Sequence, residues 1–114
     1  MESIEVAKIA VEAASNKQAV DVLLLDTRDV CSFADYFVIC SGNSDRQLEA
    51  ICDAIRSALS HEKPVFSRIQ GSASSGWILL DFGDVIVHVF APEEREYYKL
   101  EDLWKRAQLV LRMQ

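Results

Sequence analysis

The sequence predicts an α/β domain, a mixed five-stranded sheet with helices packed on it. Three observations carry that prediction. Apolar runs of strand length alternate with helix-period segments in the order α-β-β-α-β-β-β-α. One segment, from Ser44 onward, has both a helix start signal and a sustained helical stripe. Two short apolar runs, Trp77 to Phe82 and Val85 to Phe90, meet at Gly83-Asp84, a two-residue hairpin turn in which glycine supplies positive φ. The chain has 114 residues, which fits a single domain over 1–114, and it shows neither repeat nor linker.

The elements follow in order. Ile4, Ala7, Ala10, Val11 and Ala14 fall at helical spacing within residues 2–16. Ala19 to Leu25 is almost wholly apolar, as is Tyr36 to Cys40; both have the pattern of strands covered on two faces. Ser41-Gly42-Asn43-Ser44 then opens a helix. Ser44 and Gln47 have capping-box spacing, and Leu48, Ile51, Cys52, Ile55 and Leu59 form its buried stripe. Pro64 is expected to close that helix, with a strand at Val65 to Ile69 and a loop of small residues from Gly71 to Gly76. After the hairpin, Pro92 opens a helical tail in which Leu100, Leu103, Trp104 and Ala107 share a face.

Charge and cysteine usage narrow the function classes. Eighteen Asp and Glu outnumber twelve Lys and Arg, for a formal charge of -6, and the basic residues form no run. Tight binding to nucleic acid depends on Lys and Arg displacing counterions from phosphates, so direct RNA binding is not the main activity expected. A basic protein partner suits this surface better. Cys31, Cys40 and Cys52 are odd in number and lack metal-ligand spacing, so no disulfide framework and no zinc site is expected. No apolar run approaches the roughly 18 residues of a membrane span. With no basic leader at the N-terminus, the reading leans to a bacterial cytoplasmic protein.

Three stretches, taken together, carry a resemblance. They are Ala34-Asp35-Tyr36-Phe37-Val38-Ile39-Cys40-Ser41-Gly42-Asn43-Ser44, the run Trp77-Ile78-Leu79-Leu80-Asp81-Phe82-Gly83-Asp84-Val85-Ile86-Val87-His88-Val89-Phe90, and Arg95-Glu96-Tyr97-Tyr98-Lys99-Leu100-Glu101-Asp102-Leu103-Trp104. In that order and spacing the chain resembles the bacterial ribosome silencing factor family, also called the Iojap family, over about residues 4–105. The resemblance implies a translational repressor that binds ribosomal protein L-fourteen on the large subunit and keeps the small subunit from joining. It also implies no catalytic activity, no cofactor, a homodimer when free, and a fold resembling a degenerate nucleotidyltransferase domain.

That last implication raises the alternative, an active nucleotidyltransferase-like enzyme using divalent metal. Such enzymes set carboxylates on the strand after the helix to hold metal against phosphates. Val65-Phe66-Ser67-Arg68-Ile69 offers none, although backbone N–H groups at Ser41 to Ser44 could receive an anion. Asp81-Phe82-Gly83 matches a kinase tripeptide by letters only, because the phosphate loop and catalytic loop are missing. His88, inside an apolar strand, is expected to be a hydrogen-bonded core histidine. Alternation along the strand puts Trp77, Leu79 and Asp81 on one face and Ile78, Leu80 and Phe82 on the other. The resemblance places the partner site around this hairpin, so the expected site is an apolar centre of Trp77 and Leu79, rimmed by Asp81, Arg95, Tyr97 and Tyr98, with no catalytic and no metal-ligating residue.

Overall fold

Two strands of mostly apolar sequence form the centre of the sheet. Tyr36–Ser41 (β2) and Val85–Phe90 (β5) are buried along their whole length and pair in parallel, Tyr36 against Val85 through Ser41 against Phe90. The computed structural model describes residues 2–62, 68–100 and 108–113. Around the central pair stand helix α1 (Ser3–Asn16), strand β1 (Val20–Asp26), helix α2 (Asp45–Glu62), strand β3 (Arg68–Ser72), a 3-10 turn (Ala73–Ser75), strand β4 (Trp77–Asp81), helix α3 (Pro92–Tyr98) and strand β6 (Gln108–Met113). The strand order is β3-β4-β5-β2-β1-β6, and every pair except β2–β5 is antiparallel.

The two faces of this sheet are covered differently. On one, Val6, Ala7, Ala10, Val11 and Ala14 of α1 and Leu48, Ile51, Ile55 and Leu59 of α2 pack on Val22, Leu24, Val38, Cys40, Ile78, Leu80, Val87 and Val89. The other face has Leu23, Leu25, Phe37, Ile39, Ile86 and Phe90, covered by Cys31 and Ala34 of the β1–β2 connection and by Leu100. Trp77 and Leu79 lie half-buried at its margin. A period of two along β4 thus sends Ile78 and Leu80 under α1 and α2 and Trp77 and Leu79 to the other face.

Local chemistry fixes the joints. The Ser44 hydroxyl accepts the Gln47 N–H at 3.1 Å, and the Gln47 side-chain oxygen accepts the Asn43 N–H at 2.7 Å, one residue earlier than a standard capping box. The same amide donates to the carbonyls of Lys17 and Gln18, tying the start of α2 to the end of α1. The hairpin turns at Gly83-Asp84: Phe82 N–H donates to Val85 O at 2.9 Å, and Gly83 has φ +88. Asp84 O then receives the N–H groups of Asp35 and Tyr36, joining the hairpin to the start of β2.

Three expectations need correction. The sheet has six strands instead of five, because Gln108–Met113 pairs antiparallel with β1. Its Leu109-Val110-Leu111 centre is short, and what makes it a strand is the open edge of β1, a cause remote in sequence. The strand expected at 65–69 is Arg68–Ser72, exposed throughout; it takes in Gly71 and Ser72, which read as loop, while 65–67 lie outside the described residues. The helix from Pro92 is interrupted after Tyr98, where Lys99 takes a left-handed conformation at φ +47, and Leu100, helical again, packs in the second core. Leu103, Trp104 and Ala107, expected on that helix, lie outside the described residues, as does Pro64.

Candidate functional site

Trp77 is held from below by a short capped turn. Ser72 Oγ accepts the Ser75 N–H, Ser75 Oγ donates to Ser72 O at 2.8 Å, and Gly76, left-handed at φ +80, passes the chain into β4. From there the indole reaches over the second face of the sheet. Its ring centre lies 4.6 Å from Tyr98, 5.0 Å from Phe90 and 5.9 Å from His88. Tyr97 meets Tyr98 edge-on at 5.0 Å and is 81% exposed. Gln70, Gly71, Ser75, Trp77, Leu79 and Tyr98 line a cavity of about 300 Å³. Four of the expected site residues, Trp77, Leu79, Tyr97 and Tyr98, therefore form one partly exposed surface: three aromatic rings, with Leu79 beside Trp77 and Tyr98 in the cavity wall.

His88 lies beneath that surface. The Trp77 indole N–H donates to His88 Nδ1 at 3.2 Å. An indole nitrogen is only a donor, so Nδ1 must be the bare nitrogen and Nε2 carries the ring proton. That Nε2–H is buried and, among the described residues, has no hydrogen-bond partner. An unmet donor of this kind costs about 1–3 kcal/mol. Burial pushes the imidazole down to about 4, which keeps it neutral near pH 7. The expected core histidine is thus present, with a bond to Trp77 that its own strand did not reveal.

Asp81 and Arg95 stand elsewhere. Asp81 is at the far end of β4, four residues or roughly 13 Å along the strand from Trp77, and its Oδ1 accepts the Gly83 N–H at 2.8 Å. Arg95 is buried at the opposite edge of the helix. Its guanidinium donates to Asp21 O at 2.8 Å and Ser41 Oγ at 2.9 Å, and pairs with the Asp21 carboxylate at 3.4 Å. These acceptors exist because β1 bulges between Val20 and Leu23, with Asp21 left-handed at φ +49. Arg95 is therefore a strut between α3 and β1. Asp35 likewise accepts the Ser3 hydroxyl at 2.9 Å and ties α1 to the start of β2.

The start of α2, considered for an anion, spends two of its N–H groups on its own caps: Asn43 N–H on Gln47 and Gln47 N–H on Ser44. The strand after α2 carries no carboxylate in its described residues, Arg68-Ile69-Gln70-Gly71-Ser72. Among the described residues no group of three or more His, Cys, Asp and Glu side chains is placed to hold a metal. Cys40 and Cys52 face each other inside the helix-covered core, and burial pushes both thiols up to about 12, so neither supplies a thiolate at neutral pH. No described helix is long and apolar enough to cross a membrane.

Comparison with known proteins gives these features a family. A family model described as ribosomal silencing factor during starvation matches residues 1–114. The ribosomal silencing factor of Bacillus subtilis is 42% identical over 110 residues, covering 96% of this chain and 93% of that protein. A mouse protein named for mitochondrial assembly of the ribosomal large subunit is 34% identical over 91 residues, covering 77% of this chain and 40% of its own length. A crystal structure of a protein from Chromobacterium violaceum superposes with a TM-score of 0.87 at 35% identity, covering 92% of this chain and 88% of that one. Such factors are regulators, and the chain is accordingly not an enzyme. It belongs to the ribosomal silencing factor family.

Proposed function

We propose that this chain represses translation in the cytoplasm by docking on ribosomal protein L-fourteen of the large subunit and occupying the space the small subunit needs. The observation that carries this reading is the ring surface of Trp77, Tyr97 and Tyr98, grouped with Leu79 around a cavity of about 300 Å³ on the sheet face opposite α1 and α2. Large aromatic anchors beside a pocket are the pattern in which binding energy concentrates. The formal charge of -6 favours a basic partner and speeds encounter with it. Asp81 belongs to that acidic field from the far end of β4, and Arg95 contributes by fixing α3, which presents the tyrosines. The mechanism is steric: a body measuring 33 × 31 × 24 Å excludes its neighbour without any chemical step.

Co-sedimentation with purified large subunits tests the reading. The chain should pellet with them, and Trp77→Ala should weaken binding by roughly 30- to 1000-fold, equivalent to about 2–4 kcal/mol. Unchanged recovery of a variant with an intact circular dichroism spectrum contradicts it. Self-association of the free chain is a second reading, favoured by the edge strand β6 with Leu109 and Val110 exposed. A monomer mass by sedimentation equilibrium at high concentration would remove it.

A further inference from the structure

We propose that His88 is a positioning residue for the docking surface: it holds the Trp77 indole in the one orientation that walls the cavity beside Tyr98, so the ring meets its partner already fixed. The inference rests on the reading that Trp77 anchors a partner. A half-exposed tryptophan ordinarily turns its N–H to water. Here the N–H points inward to His88 Nδ1 at 3.2 Å, and the indole face is left for Tyr98 on one side and Phe90 below. Flipping the indole about its side-chain axis would break that bond, so the bond selects one of two ring orientations that packing alone leaves closer in energy.

The histidine is clamped in turn. Phe37 meets it edge-on at 5.0 Å, Phe90 lies parallel to it at 6.2 Å, and across the strands it pairs with Ile39 and Leu79. Among the described residues, the Trp77 indole is the one hydrogen-bond partner of the ring at 88. Nε2 has no partner among the described residues, and a phenylalanine or leucine would fill the apolar surroundings without leaving a donor unmet. What an apolar side chain cannot supply is the acceptor for Trp77. An anchor fixed before encounter loses less freedom on binding than a mobile one, which is why the acceptor matters for affinity.

Two variants separate this role from packing. His88→Phe keeps a buried ring and removes the acceptor; His88→Asn keeps an oxygen near the position of Nδ1 and leaves a small void. With purified large subunits as the probe, His88→Phe should bind about tenfold more weakly while melting no lower than the parent. His88→Asn should melt lower yet bind within about threefold of the parent. The indole N–H resonance, assigned with Trp77→Phe, should stay put in His88→Asn and move upfield in His88→Phe. Should His88→Phe not fold, His88→Leu carries the same comparison. Parent-like binding by the acceptor-less variant, with Trp77→Ala still impaired, overturns the role of His88 alone. Unimpaired binding by Trp77→Ala overturns the anchor reading itself, and the role of His88 with it.

Discussion

The two faces of the sheet are built from the same strands and yet hold different kinds of side chain. Under α1 and α2 the described residues are mostly aliphatic or small, down to the alanines at 7, 10 and 14, with Tyr36 and Phe82 the aromatic members. On the other face Phe37, His88, Phe90, Trp77 and Tyr98 follow one another across the sheet, and the outermost rings are open to solvent. The first face does what a core does, removing apolar area from water. The second carries a buried donor without a partner among the described residues, and aromatic area exposed to solvent, the kind of surface that docking uses.

That contrast can be broken from either side. The largest effect is expected under the helices: Ile55→Ala removes a fully buried side chain and should lower stability by about 2–5 kcal/mol in chemical denaturation. Binding to large subunits per folded molecule should not change. A binding defect there at full folding would mean that the faces are not separate. A smaller effect concerns acid. The folded His88 titrates near 4, below its ordinary 6.5, so the unfolded chain takes up the proton first. Stability from this group is complete above about 6.5 and is lost as the pH falls toward 4, by up to about 3 kcal/mol. The difference between the parent and His88→Phe should open over that window in urea titrations. A constant difference from pH 7 to 4 would contradict the buried neutral imidazole. The smallest change in stability belongs to Tyr97, which is 81% exposed. Tyr97→Ala should shift folding by no more than about 0.5 kcal/mol, yet weaken subunit binding several-fold. A variant that binds normally would place Tyr97 outside the contact.

How far the sequence disclosed this division depends on the range of the cause. Ser44 with Gln47 announced α2 because a cap acts within one helical turn, and Gly83 announced the hairpin because only a local positive φ was needed. Alternation separated Trp77 and Leu79 from Ile78 and Leu80 for the same reason. Strand β6 escaped because it answers to the free edge of β1, some ninety positions earlier in the chain. Arg95 was read with its neighbours Tyr97 and Tyr98. Its bonds run instead to a bulge 74 residues away, and no pattern around it encodes that. The bond between Trp77 and His88 joins adjacent strands diagonally, so it became visible only once the register of β4 against β5 was known.

Subunit joining is the most direct measurement. Purified large and small subunits, mixed in a stopped-flow light-scattering cell with and without a saturating amount of this chain, report the rate at which full ribosomes form. Occupation of the joining surface through Trp77 predicts a strongly reduced rate and amplitude with the parent chain, and restoration of both with Trp77→Ala. Joining at the ordinary rate in the presence of saturating parent chain would contradict steric exclusion outright.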